Sequence, residues 1–404
     1  MNHKERLWTK DFILLGYSNL FLFLAFEMLM PILPLHMETI GGTSSEIGIV
    51  MGIFTVTAIL IRLFTGFFAD KIGIKSLLVI GGIICLVATG LYDVAMVVVW
   101  LIMFRLLHGV GFGIATTLYG TAAADMIPPS RMGEGMGYFG LSNTIAVSIG
   151  PFIGVILFEH AGYDIAIVIA TAFLVISSFF NIIMKIPRSA PAHKQNTPVE
   201  KFVAEPFLSR LVNRQALFPS LLGMLSGFGF GAIISFIALF GKEAGLANIG
   251  YFFLVTSIFE VLVRFVSGKI FDAKGPFWVI VPSAFLTCLA TVMLSYATNM
   301  GTMLGAAAVF GIGFGALFPA LQAWIINRVE PNARTSATAT FFNLFDIGIA
   351  GGAALLGLVA GFVGYGMMYR LSSLFYIALI VVYVASEWKS RQKKRGLNDR
   401  QLTL

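Results

Sequence analysis

Arg62-Leu-Phe-Thr-Gly66-Phe-Phe-Ala-Asp70-Lys71-Ile-Gly73-Ile-Lys75 is the stretch on which this chain is read, because its frame returns 202 positions later as Arg264-Phe-Val-Ser-Gly268-Lys-Ile-Phe-Asp272-Ala-Lys274. The same shift carries Ile47-Gly48 onto Ile249-Gly250, Gly109-Val-Gly-Phe-Gly113 onto Gly311-Ile-Gly-Phe-Gly315, and Gly150 onto Gly352. One ungapped offset joining such distant positions, and equal to half of the 404 residues, reads as two related halves in parallel order.

Composition says what solvent those halves face. The chain is 58% hydrophobic and 12% charged, where a soluble domain carries about 25% charged residues. A soluble protein this apolar would expose patches it could not keep from its neighbours. Lipid is therefore the solvent for most of the surface. The net charge of +7 does not indicate nucleic acid, because the cations recur between apolar runs rather than gathering in one patch. Cys85 and Cys288 both lie inside apolar runs and read as small hydrophobes, not as a disulfide or metal site. The basic first ten residues and the long apolar run after them do not fit a cleavable signal peptide.

Apolar runs long enough to span a bilayer, about 20 residues each, fall at roughly 12–38, 46–69, 76–96, 98–124, 135–158, 163–185, 215–241, 248–271, 277–297, 301–327, 336–363 and 367–388. The expected domains are a six-helix half over 1–185, a proline-rich polar linker over 186–214, a second six-helix half over 215–388, and a basic tail over 389–404. Lys and Arg cluster at the amino terminus, in the linker, in the tail, and after the second, fourth, eighth and tenth runs. Lys242, with Arg370 a further candidate, stands on the other side. The cation bias of cytoplasmic loops then places both termini in the cytoplasm of a multi-pass protein of the plasma membrane.

The segment Gly66 to Lys75, with its degenerate copy ending at Asp272, resembles the loop between helices 2 and 3 of the major facilitator superfamily. That resemblance covers nearly the whole chain and implies an all-α fold of twelve transmembrane helices in two pseudo-symmetric halves. It also implies a gate made by Gly66, Asp70, Lys71, Gly73, Lys75 and Asp272, in which Asp70 latches onto the start of the eleventh helix. The physics is independent of the name: glycine lets helices approach closely, and a carboxylate gains near a helix N-terminus.

Arg105, in Arg105-Leu-Leu-His108-Gly109, is costly in a bilayer and belongs against protein or a wet cavity. The segment resembles the family's fourth-helix motif, whose buried arginine assists proton coupling. His108 stands where the family usually has glutamine, either as a hydrogen-bonding replacement, the reading preferred here, or as a titratable group one turn from Arg105. In the fifth helix, Gly137, Ala146, Gly150, Pro151 and Gly154 follow the spacing of the family's antiporter motif, with Ala146 and Val155 replacing two glycines. Small residues with a proline suit a pliable, closely packed helix.

Glu27, one turn before Pro31 and Pro34, and Asp346 in the eleventh run are carboxylates inside apolar segments. Such groups can take up and release protons as their surroundings alternate. Glu260 and Arg264, four apart, read as a structural pair on one helix face. Shifted by the repeat, Arg105 lands on Ala307, Glu27 on Gly229, and Asp346 on Thr144. Scaffold should be duplicated while coupling chemistry needs one copy, so proton coupling is expected on Glu27, Arg105 and Asp346, with His108 beside them.

The resemblance is strongest to twelve-helix drug:proton antiporters. It implies a small-molecule substrate, protons, no cofactor, and a monomer that is not an enzyme. A proton-coupled exporter of amphipathic molecules is the first expectation, with Glu27, Tyr119, Phe230, Phe236 and Gln322 as candidate substrate contacts on helices that line the cavity in the family. The alternative is a dedicated exporter of a siderophore or other metallophore, a role of some similar Gram-positive proteins, for which Arg105 and His108 suit carboxylates. A membrane enzyme would need a clustered catalytic set, and the remaining histidines are scattered.

Overall fold

The second helix begins as its sequence asks. The Thr43 hydroxyl accepts the Glu46 N–H at 3.3 Å, and a Glu46 carboxylate oxygen accepts the Thr43 N–H at 2.8 Å, a reciprocal cap. Asn299 and Thr302 repeat the arrangement ahead of Met300.

The computed structural model describes residues 6–95, 97–128, 131–186, 214–329 and 334–402. Their helices are α1 Lys10–Thr39, α2 Ser44–Ile72, α3 Ile74–Leu91, α4 Val98–Met126, α5 Met132–Ala161, α6 Tyr163–Ile183, α7 Arg214–Glu243, α8 Gly250–Lys274, α9 Phe277–Ser295 and α10 Met300–Ile326. A 3-10 turn, Tyr92–Val94, lies between α3 and α4. The last run, Arg334–Leu402, is broken at Gly364 (φ 78°, ψ 166°) into α11 over 334–363 and α12 over 365–402.

Among the described residues, eleven runs are long and apolar enough to cross a membrane, the last covering Ala337–Lys389. That last run has 53 residues, more than twice the roughly 20 a crossing needs, so the break at Gly364 makes it two crossings. The expected twelve spans are present, with ends shifted by a few residues. Residues 187–213, which hold almost all of the expected linker, lie outside the described residues, and α12 carries the helix on through the expected tail to Leu402.

The internal repeat extends from sequence into backbone and packing. Gly73, between α2 and α3, has φ 86°, and Gly275, 202 positions on between α8 and α9, has φ 88°. Gly162, between α5 and α6, has φ 89°, and its counterpart Gly364 has φ 78°. L side chains disfavour this region, so both turns call for glycine. The helix contacts repeat as well. Gly109 abuts the backbone of Phe54, and Gly311 abuts Thr256; Gly113 lies on Ala58, and Gly315 on Glu260; Gly111 meets Gly81 and Cys85, and Gly313 meets Ser283 and Thr287. Each second contact is the first displaced by the same offset. Interfaces between membrane helices favour such small residues because backbones can then touch.

Two compact units result. One comprises Met1–Pro206, Ile233–Leu254 and Ala353–Tyr365; the other comprises Phe207–Ala232, Val255–Gly352 and Gly366–Leu404. Contact thus divides the chain differently from repetition. The first unit holds α1 to α6 together with the end of α7, the start of α8 and the end of α11. These join where α1 ends and α2 begins, called here the distal end. In the second unit, Leu317, Leu321, Trp324, Phe341, Tyr376 and Tyr383 of α10, α11 and α12 belong to a buried apolar core to which α7, α8 and α9 also contribute.

Candidate buried polar site in the first unit

Helix α1 presents Glu27 toward α5, and the α5 motif residues make the approach possible. A Cβ on Gly150 would lie 2.6 Å from the Cβ of Glu27, and one on Gly154 would strike the Met28 carbonyl. Ala146 and Pro151 are buried on the same helix. Any larger side chain at Gly150 or Gly154 would push α1 away together with its carboxylate. Glu27 itself is 6% exposed, and its Oε2 has no hydrogen-bond partner.

Arg105 on α4 is fully buried. Its Nη2 lies 3.1 Å from the Met51 sulfur and 3.8 Å from the Met30 sulfur. Its guanidinium carbon stands 5.0 Å from the centre of the Phe54 ring and 6.0 Å from that of Tyr92. Nε and Nη1 have no partner. The bed is thus thioether and aromatic face, which attract a cation weakly and leave most of its donors unsatisfied. Met30 is three residues beyond Glu27 on α1, so the two charges border one stretch of that helix.

His108 is also buried. Its Nδ1 shares a 3.0 Å hydrogen bond with the Tyr92 hydroxyl, and Tyr163 donates to the Tyr92 carbonyl at 3.2 Å. Phe54 meets the imidazole edge-on at 5.2 Å. The Tyr92→Phe variant strands His108 Nδ1 in an apolar pocket and is expected to cost about 1–3 kcal/mol. His108→Gln, which can still hydrogen-bond, is expected to be nearly neutral; thermal unfolding of the two purified variants checks the order.

The remaining sequence candidates lie elsewhere. Asp346 is half-buried on α11 in the second unit. Glu260 pairs with Arg264 at 3.8 Å on α8. Tyr119 is fully buried, its hydroxyl 2.6 Å from Ser18 Oγ and 3.1 Å from both Ser177 Oγ and Asn181 Oδ1, so it fastens α4 to α1 and α6. Phe236 is fully buried and stacks on Tyr365 at 5.8 Å. In this conformation neither ring offers a surface to a ligand. Phe230 is half-buried and stacks on Phe314 at 4.6 Å, and Phe314 continues to Phe310 and Phe318 at 5.4 and 5.9 Å. Gln322 is half-buried one turn beyond Phe318.

At the gate segment, Gly66 is open to its surroundings and Lys71 lies 4.3 Å over the Phe67 ring. Lys75 and Asp272 are exposed. The side chain of Asp70 and residues 330–333, ahead of α11, lie outside what is described, and so does the expected latch between them. Gly137 lies in the first turns of α5.

Sequence reasoning did not find Met30, Met51, Phe54 and Tyr92 as the surroundings of Arg105, because α1, α2 and the 3-10 turn meet there only in three dimensions. The ladder Phe310, Phe314, Phe318 was open to it, since the residues recur at the four-residue spacing of one helix face. Among the described residues no group of three His, Cys, Asp or Glu side chains comes together as a metal site.

The chain is similar to known proteins along most of its length. The chain matches the sequence model of the Major Facilitator Superfamily over residues 15–353 and 275–402. It is 24% identical over 385 residues, 92% of this chain and 94% of the other, to the staphylopine export protein of Staphylococcus aureus. It is likewise 24% identical over 379 residues, 91% of this chain and 93% of the other, to the multi-drug resistance efflux pump PmrA of Streptococcus pneumoniae. The crystal structure of the nucleoside transporter NupG superposes with a TM-score of 0.72 at 15% identity, covering 93% of this chain and 99% of that one.

Proposed function

This chain belongs to the major facilitator superfamily, a family of transporters, and from that premise we propose that it exports small amphipathic molecules across the cytoplasmic membrane in exchange for protons. The carrier alternates between faces, with both termini in the cytoplasm and the distal end outside, as the cation placement favours. Glu27 carries the coupling proton, Arg105 responds to its charge, and Asp346 contributes from the second unit. The gate residues around Asp70 close the cytoplasmic side.

The observation that carries this reading is the pair of buried, incompletely partnered groups, Glu27 and Arg105, bordering one stretch of α1. Neither contributes to stability as placed, because unsatisfied buried polar groups cost about 1–3 kcal/mol each. Alternation supplies what each lacks, since a proton or a counter-charge reaches them when the cavity opens. The export protein and the efflux pump among the relatives support the direction of transport.

Proteoliposomes carrying the purified protein and an imposed pH gradient test the reading, with ethidium as probe. Gradient-driven accumulation abolished by a protonophore is expected. Glu27→Gln is expected to equilibrate the dye without concentrating it. Equal accumulation with and without the gradient would remove proton coupling from the proposal.

A second reading, export of a metallophore, has its own observation. Arg105 Nε and Nη1 are free of partners and match the fork that binds a carboxylate bidentately. Growth of the source cells with and without the gene under iron and zinc limitation separates the readings. Loss of a chelator from the medium, with its retention in cells, selects this one.

A further inference from the structure

At the distal end of the first unit two carboxylates stand where their own helices disfavour them. Glu38 lies in the last turn of α1 and Glu159 in the last turn of α5, where the helix dipole favours cations. Each finds its partner in the second half of the chain. Glu38 Oε2 accepts a hydrogen bond from Lys242 Nζ at 2.7 Å, and Lys242 suits the last turn of α7. Glu159 Oε1 accepts the Ile249 N–H at 3.1 Å, ahead of α8, where an anion is favoured.

Neighbouring contacts follow the same seam. Ser44 and Tyr365 hydroxyls lie 3.0 Å apart, Glu243 accepts the Tyr365 N–H at 3.3 Å, and Gly48 touches the backbone at Ala353. A cavity of about 480 Å³, lined in part by Leu35, Phe158, His160, Ala238 and Lys242, lies behind it. The seam is therefore fastened at points rather than packed solid. The repeat does not copy it: 202 positions after Glu38 and Glu159 stand Phe240 and Gly361. By the duplication argument it is not scaffold.

We propose that Glu38 and Lys242 form a latch over the distal seam that biases the carrier toward the state closed on that side, with Glu159 on the Ile249 amide as its second fastening. The proposal rests on alternating access, though not on the substrate or the proton. Glu38 and Lys242 side chains are 41% and 58% exposed, and exposed pairs shift an equilibrium by only about two- to five-fold. That matters little to a fold and considerably to a carrier whose two states are comparably populated.

Ala238, 2% exposed and lining the cavity, serves as reporter. In a full-length Cys85→Ala, Cys288→Ala background, Ala238→Cys is labelled in proteoliposomes by a membrane-impermeant maleimide applied to the distal face. Glu38→Lys and Lys242→Glu should each raise the labelling rate about two- to five-fold, and the exchange of both charges should restore the parental rate. A parental rate in the single variants, or a raised rate that the exchange does not restore, overturns the latch. Where a reversal lowers the yield of folded protein, Glu38→Gln with an expected rise of about two-fold takes its place. Labelling needs no substrate, so a failure to export would sink the functional reading and leave this result standing.

Discussion

Arg105→Met is expected to slow transport about 10- to 100-fold in a protein that folds at least as well as its parent. The two outcomes come from one environment. Arg105 lies among Met30, Met51, Phe54 and Tyr92, and two of its donors have no partner. Methionine fills that space with the same kind of atoms its neighbours present. It also removes buried donors whose lack of partners costs about 1–3 kcal/mol. A residue kept for stability should behave in the opposite way. Transport, in the proposed cycle, needs the guanidinium to meet a carboxylate in the other state. Hydrogen bonds to charged groups are worth about 1.5–3 kcal/mol, so losing that contact should slow transport by about 10- to 100-fold. Arg105→Lys keeps the charge but loses the bidentate fork and should fall between. Thermal unfolding in detergent beside uptake into proteoliposomes reads both effects. A variant that transports normally would make Arg105 a passenger in the core.

The largest effect on folding is expected at Gly154. Its neighbour across the helix contact is the Met28 carbonyl, which is backbone and cannot swing aside as a side chain would. Gly154→Val must separate α1 from α5, at a cost near the upper end of the roughly 1–3 kcal/mol typical of overpacking. The displacement falls one residue from Glu27, so coupling should suffer together with stability. Gly140, on the same helix, has nothing within 4 Å of its absent Cβ. Gly140→Ala should therefore stabilise by up to about 1 kcal/mol through helix propensity alone. Opposite shifts in the thermal midpoints of the two variants, measured side by side, are the expected result; a shared loss would mean that α5 tolerates no change and that the contact at Met28 is not the cause.

Much of the architecture was legible before any coordinates. The apolar runs gave twelve spans, and Arg62/Arg264 with Gly109/Gly311 gave the repeat, because span length and a fixed offset are properties of the chain in one dimension. Gly73/Gly275 and Gly162/Gly364 belong to the same offset, yet their meaning as left-handed turns emerged only from φ.

Tertiary structure decided which polar residues have partners. Tyr119 looked available to a ligand and proved to be tied to Ser18, Ser177 and Asn181. Glu38, unremarked in the sequence, holds Lys242, 204 positions away. Arg105 was known to need shelter, but its bed of sulfur and aromatic rings came from three separate elements. The physical reason is the solvent. Lipid is as apolar as the helix interfaces, so hydrophobic periodicity cannot report which face of a spanning helix turns inward. The sequence determined how many helices cross the membrane and that they form two halves; only their packing decided how each helix is rotated, and hence which charges are left without a partner.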